Sequence, residues 1–389
     1  MIDSKVTQIS PQALQIHKKA IVIDAHCDVT LKLVNNNFDI GMRHETGHFD
    51  LPRAFEGGLN AVFFSIFVPD YKNTLEARRS ALEQIDAIYR AVESNADCAF
   101  LALTSQDIVR LSQEGKLAIL MGMENSNPIG VNMALLRNFY RLGVRYLVPG
   151  NVATDYAAED LSSYKEWARK GLSTFGKEAI YEMNALGMVI DLSHLSEPAR
   201  WEVLEVSRTP VIVSHTACNV LCKTITRNLS DEFIHAIAKN GGVIHVTFCP
   251  HYLDQALRDE CLESMSMSNL LSQIRVLREK YSNDEGAYVD ALTRLVVNQG
   301  FHLPGASIIV DHIEHIIKLV GVNHVGLGSD FDGTVWLPKG IEDVSKLPII
   351  TYLLLERGYS EENVIKILGE NIIRVMKENE QFAAGQLNK

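Results

Sequence analysis

The 389 residues hold no run of about 18 apolar residues, so no segment is suited to cross a membrane as a helix. The start, Met1-Ile-Asp-Ser-Lys-Val-Thr-Gln-Ile-Ser10, lacks the basic and apolar regions of a secretory signal. The polar stretch from Lys377 to Lys389 lacks the form of a lipid-anchor signal. The expectation is a cytoplasmic protein with no membrane anchor. Positive charge is in deficit: 37 Lys and Arg against 48 Asp and Glu leave a net charge of −11. That is the wrong sign for a phosphate-binding surface, so nucleic acid is not expected as a partner. Cysteine is sparse. The six, at 27, 98, 218, 222, 249 and 261, show no repeated close pairing, which argues against a thiolate zinc site and for reduced, buried thiols. No glycine-rich phosphate loop follows the first strand, and neither a Pro/Gly/Ser linker nor an internal repeat divides the chain.

What is present is an alternation of short apolar runs with longer amphipathic ones. The spacing predicts strands at 21–28, 60–68, 117–124, 144–150, 187–194, 210–215, 241–248 and 324–330. Most are apolar nearly throughout, as parallel strands covered on both sides should be. Helices are expected at 76–94, 105–113, 131–142, 174–186, 196–207, 231–239, 306–320, 343–357 and 361–379. Ser173 or Thr174, Ser196 and Ser230 are the expected N-caps. Eight β/α units without a linker point to a (β/α)8 barrel forming a single domain over 1–389. A doubly wound open sheet is the other α/β option, and it would want the missing phosphate loop. More than fifty residues separate the seventh strand from the helix at 306; this insertion, about 249–305, reads as a lid or as the contact of a homodimer.

The residues that close these strands share one chemistry. Strand one ends in His26 and Asp28, strand three in Glu124, strand five in His194, strand six in His215 and strand eight in Asp330. Barrel enzymes place their chemistry on the C-terminal rim, so side chains far apart in sequence should meet at one mouth. Three imidazoles and two carboxylates without thiolate suit zinc, and after it manganese, cobalt or iron(II). Five ligands exceed the three usual for one catalytic zinc, so two Zn2+ per chain are expected, about 3.5–4 Å apart. Glu124 as a shared ligand would give His26, Asp28 and Glu124 to one ion and Glu124, His194 and His215 to the other.

Several segments carry a resemblance. Asp24-Ala-His-Cys-Asp28, Phe49-Asp-Leu-Pro-Arg53, Gly122-Met-Glu124, Gly171-Leu-Ser-Thr-Phe-Gly176, Ile190-Asp-Leu-Ser-His194, Pro210-Val-Ile-Val-Ser-His215, Thr226-Arg-Asn228 and Gly328-Ser-Asp-Phe-Asp-Gly333 resemble the membrane dipeptidase (renal dipeptidase) family of the amidohydrolase superfamily. The resemblance runs from about 18 to 378 and implies a zinc-dependent barrel that hydrolyses dipeptides through a metal-bridging hydroxide. It implies further that Arg227 grips the substrate's free carboxylate and that Asp330 handles protons at the scissile amide. Asp332 is the rival for that proton role. One departure is expected to matter: Asn151 stands where the family usually has a histidine near the reacting carbonyl. Asparagine can donate a hydrogen bond there but cannot carry charge. A tailoring hydrolase with a non-standard substrate, or a catalytically weakened metal-binding barrel acting as a binding protein, are the other functions compatible with that change.

Overall fold

A run such as Leu117–Met123, apolar at every position, cannot leave a face in water and forms a strand covered on both sides. The computed structural model describes residues 9–35, 38–68, 73–150, 170–224, 227–267, 270–281, 284–297 and 300–387. Its strands are β1 (Ile23–Cys27), β2 (Ala61–Ile66), β3 (Ala99–Leu101), β4 (Leu117–Met123), β5 (Val144–Leu147), β6 (Val189–Ile190), β7 (Ile212–Thr216), β8 (Val243–Val246) and β9 (Val325–Leu327). All pairs are parallel. One sheet runs β1-β2-β4-β5-β6 with β3 on β4, and a second runs β7-β8-β9. The two meet at both ends of the series. Cys27 bridges Phe331 beyond β9, and Asp191 beyond β6 bridges Ile212 in β7. Backbone hydrogen bonds mark both seams: Asp28 donates to Phe331 O at 2.7 Å, and Leu192 donates to Ile212 O at 2.9 Å.

The eight expected strands are all present in shortened form, and β3 is an addition. Three residues are too few to show a period, which is why Ala99–Leu101 left no signal. β6 is the most shortened. After Ile190 the Asp191 carboxylate takes the Ser193 and Ser214 amides, and His194 turns the chain with φ 61°.

Between strands the amphipathic runs form helices capped as expected. Ser173, Ser196 and Ser230 accept from the amides of Gly176, Ala199 and Phe233, so Thr174 is the first helical residue and not the cap. The run expected at 343–357 begins its helix only at Pro348, after a 3-10 turn over Val344–Lys346, because proline suits a first helical position. The last run is three pieces, with a π turn at Lys366–Glu370 joining Glu361–Ile365 to Asn371–Leu387. Helices Pro250–Leu253, Gln255–Met267, Leu270–Lys280 and Glu285–Val297 lie between β8 and the helix Ser307–Val320. Among the described residues no helix is long and apolar enough to cross a membrane.

Strand alternation splits the core in two. Ala61, Phe63, Ala118, Leu120 and Tyr146 pack together on one face, with Ile23 and Ala25. Val62, Phe64, Ile66, Ile119 and Met121 belong to the larger cluster on the other face. Ser65 and Glu124 fall on the parity of the first face, and this fixes where the site can form.

Candidate metal centre

His26 breaks the alternation. With Ile23 and Ala25 on the first face, strict period two would send His26 to the opposite side with Asp24. The β1–β2 register shifts between Asp24 and Cys27, and the His26 ring instead meets Tyr146, its Nδ1 2.8 Å from the phenol oxygen. β7 repeats the device. Ile212 lies on the first face and Val213 on the other, yet after a register shift between Val213 and Thr216 the His215 ring stacks on His26 with centroids 3.7 Å apart. Such irregularities re-aim a side chain, and here they aim two imidazoles at one point.

The carboxylates converge on the same point. Glu124 directs its two oxygens to different partners: Oε2 is 3.4 Å from His26 Nε2, and Oε1 is 3.1 Å from His194 Nε2 and 4.0 Å from His215 Nε2. Ser65 Oγ donates to Oε2 at 2.9 Å and fixes the carboxylate plane. Asp28 Oδ2 is 3.3 Å from His26 Nε2, and the Nε2 atoms of His194 and His215 are 2.9 Å apart. Three sets of donor atoms gather within 4.8 Å: His26 with Asp28 and Glu124, Glu124 with His194 and His215, and His26 with His215 and Asp330. His26 Nε2 and Asp28 Oδ1 are buried without a hydrogen-bond partner. Buried, unsatisfied lone pairs aimed at each other are costly unless a cation satisfies them, so the donor set fits divalent metal ions.

Two of the three imidazoles, His194 and His215, are held in the form a metal requires, whereas, against the effect of burial, the neighbouring Tyr146, Asp28 and Glu124 raise His26 above its ordinary value. Burial, and then the charge of Arg227, lowers His194 to about 4. Burial, followed by the charges of His26 and Arg227, keeps His215 well below its ordinary value. Both rings are therefore neutral at pH 7. Behind His215, Nδ1 lies 2.8 Å from Ser214 Oγ, which donates to Asp191 Oδ2 at 2.5 Å. That chain leaves the proton on Nδ1 and the lone pair on Nε2.

Asp330 lies on the rim with φ 67°, Asp332 has φ 65°, and His194 has φ 61°. Among the described residues these are the non-glycine positions in the left-handed region, and all three belong to this corner of the molecule. Asp330 is placed by its neighbour: Ser329 donates its amide to Asp24 Oδ1 at 2.8 Å and its hydroxyl to Asp24 Oδ2 at 2.5 Å. Gly333 lies so close that a Cβ there would stand 2.1 Å from Asp28 Oδ2 and 2.5 Å from Asp330 Oδ1. Burial, and then the charge of Asp28, pushes the Asp330 carboxyl well above the usual range. Asp332 is differently engaged. Its Oδ1 accepts from Lys32 Nζ at 3.0 Å and from the His48 amide at 2.9 Å.

Arg227 follows β7 and is 3% exposed. Its backbone is pinned by Thr216 Oγ1 donating to its carbonyl at 2.9 Å, while Asn228 Nδ2 donates to the carbonyls of Cys222 and Tyr252. The guanidinium lies 5.2 Å from the Tyr252 ring centroid, and Nε and Nη1 have no hydrogen-bond partner. It lines one cavity with Asp28, Glu124, His194, His215 and Asp330. A buried cation with unfilled donors facing that cavity suits a planar anion. Asn151 lies outside the described residues.

Residues 10–389 match the family model described as Membrane dipeptidase (Peptidase family M19). The chain belongs to the membrane dipeptidase family. Dipeptidase tcpJ of Claviceps purpurea is 33% identical over 348 residues, covering 87% of this chain and 71% of that protein. Dipeptidase 3 of Mus musculus is 31% identical over 390 residues, covering 98% and 69%. Among solved structures, the probable dipeptidase PvdM from Pseudomonas aeruginosa superposes with a TM-score of 0.76 at 27% identity, over 96% of this chain and 98% of that one. A metallo peptidase from Rhodobacter sphaeroides, liganded with a phosphinate mimic of the dipeptide L-Ala-D-Ala, has the same fold, with a TM-score of 0.72 at 23% identity, over 92% and 99%. Membership of this metallopeptidase family implies a metal cofactor.

The strand-end residues expected from the sequence, His26, Asp28, Glu124, His194, His215 and Asp330, are brought together, and Arg227 joins them. The supports were not singled out: Ser65, Tyr146, Asp191, Ser214 and the Asp24–Ser329 pair. Asp24, Asp191, Ser214 and Ser329 lie inside the segments that carry the resemblance, and the two serines directly precede His215 and Asp330, whereas Ser65 and Tyr146 have no such signal.

Proposed function

We propose that this chain is a binuclear zinc dipeptidase that hydrolyses the amide of a dipeptide with a free C-terminal carboxylate. The observation that carries the reading is one carboxylate, Glu124, facing two groups of imidazole and carboxylate donors across a cavity from the unfilled guanidinium of Arg227. His26, Asp28 and Glu124 would hold one ion, and Glu124, His194 and His215 the other. Zinc held by these residues would supply a lowered pKa for a bound water and polarisation of the scissile carbonyl. Arg227 binds the carboxylate end and sets the amide in register with that water. Asp330, whose carboxyl burial and the charge of Asp28 push well above the usual range, is the group that exchanges the proton between water and the leaving amine. Asp332 is reserved for Lys32 and His48. Asn151 would offer a neutral donor near the carbonyl. The two sheets, joined at both seams, are read as one closed (β/α)8 barrel with the insertion after β8, a single domain.

The test is a zinc-reconstituted full chain assayed on several dipeptides and their C-terminal amides. The expected result is close to two ions per chain by elemental analysis, with dipeptides cleaved and the amides poor. One ion per chain, or equal cleavage of a dipeptide and its amide, would overturn the metal pairing or the role of Arg227 respectively.

A further inference from the structure

The helical insertion does more than cover the site. The cavity that holds the donor cluster and Arg227 is lined as well by Leu31, Phe67, Tyr288, Val289, Leu292 and Val335. Three of these come from one insertion helix, Glu285–Val297. Tyr288, Leu292 and Val335 are 5%, 4% and 7% exposed and form a small core of their own. The Arg278 guanidinium lies 3.6 Å from the Tyr288 ring centroid and holds the phenol plane. The helix is also tied to the floor of the site. Lys32 Nζ sits 3.3 Å from Asp290 Oδ1 on the helix and 3.0 Å from Asp332 Oδ1 on the rim.

Building on the dipeptidase reading, we propose that this helix forms the pocket for the side chain of the dipeptide's N-terminal residue and selects a bulky apolar one. Position sets which residue enters. Arg227 stands on the loop after β7, while Leu31 and Phe67 follow β1 and β2 in the other sheet. With the free carboxylate held at Arg227, the end of the substrate that reaches the opposite wall is the N-terminal one. Chemistry sets the preference. An aliphatic side chain buries apolar surface against Tyr288, Leu292 and Val335, whereas glycine leaves that surface unfilled. The tie through Lys32 keeps the helix at the spacing such a side chain needs.

The experiment compares kcat/KM of the zinc-loaded full chain on Leu-Gly, Gly-Leu, Glu-Gly and Gly-Gly. Leu-Gly is expected to exceed Gly-Gly by about tenfold or more, the discrimination an apolar pocket supplies. Tyr288→Ala and Leu292→Ala should bring the Leu-Gly to Gly-Gly ratio of kcat/KM down to about one. Asp290→Asn, which leaves the lining untouched, should lower the Leu-Gly to Gly-Gly ratio severalfold at unchanged metal content, and it serves if the lining variants fail to fold. A preference for Gly-Leu would overturn the assignment to the N-terminal residue. A preference for Glu-Gly would overturn the apolar preference and assign the selection to Arg278. Equal rates on all four, or a ratio unmoved by the variants, would overturn the pocket alone. Failure of the metal-loaded chain to cleave any of them would overturn the dipeptidase reading and the pocket with it.

Discussion

Asp191 and Asp24 perform one task at two places. Each buried carboxylate accepts an amide and a hydroxyl from a serine on the neighbouring strand end, Ser214 for Asp191 and Ser329 for Asp24. Both also accept an amide two residues ahead, from Ser193 and His26. Each serine directly precedes a residue of the proposed site, His215 or Asp330, which gives the two aspartates a positioning role in that proposal. Asp191→Asn should weaken binding of the metal ion proposed at His215 on the order of 10–100-fold, read by chelator competition. An unchanged affinity would remove the serine relay from the design. Glu124→Ala should lower the affinity of both ions together, whereas His215→Ala should chiefly empty one. Equal loss of both from His215→Ala would show that the ligands are partitioned differently. Asp330→Asn should keep the metal content and cut kcat roughly 10²–10⁴-fold, the usual contribution of a proton-transfer group. An unchanged kcat would move the proton role elsewhere. These supports were hard to read in the sequence because a buried aspartate in a strand has no local marker. Only the neighbour across the seam, hundreds of residues away for Asp24 and Ser329, gives it a purpose.

At the scale of the element, the irregular strands matter more than the regular ones. Period two correctly sorts Phe63 from Phe64 and Leu120 from Ile119, because their ladders run unbroken. It fails for His26 and His215, where register shifts turn the rings to the first face. β4 contributes through absence. A Cβ on Gly122 would stand 1.9 Å from Tyr146 Cζ, so only glycine leaves room for the phenol that bonds His26. Gly122→Ala should destabilise the fold by about 1–3 kcal/mol, as overpacking does, and weaken metal binding as Tyr146 moves. A thermal melt and a metal titration would check both, and a variant with parental metal affinity would dissociate Tyr146 from the centre. The element boundaries followed the caps that sequence can show, such as Ser196 and Ser230, and departed where side chains intervene, as at Asp191.

Across the whole molecule, buried neutral histidines couple stability to pH. His312 accepts the Cys218 amide at Nδ1, 2.9 Å away, and donates from Nε2 to Leu253 O at 3.0 Å. It thereby ties the loop after β7, which carries Arg227, to the helix Pro250–Leu253 that follows β8. Burial lowers its pKa to about 4. In the unfolded chain the ring titrates near 6.5, so between about 6.5 and 4 the unfolded state binds the extra proton. The stability due to His312 is complete above the unfolded value and is lost as pH falls towards 4, about 3 kcal/mol over the range. Melting temperature should therefore fall steadily below pH 6.5. His312→Gln should lower it at pH 7 and flatten that slope; an unchanged slope would place the acid sensitivity on other groups.

What the sequence determined by itself was the kind of chain and which donor side chains would meet. Strand periodicity is local, so the ends of strands could be found, and the residues closing them were the donors that converge: His26, Asp28, Glu124, His194, His215 and Asp330. Family membership was legible from the same stretches. The tertiary structure alone decided how those donors face one another. The turning of His26 and His215, the division of Glu124 between two partners and the clasps at Asp24 and Asp191 all depend on contacts between segments distant along the chain. So does the wall that Tyr288 and Leu292 present to the cavity. Local pattern carries no information about such contacts, because the energy that selects them arises only when the strands lie side by side.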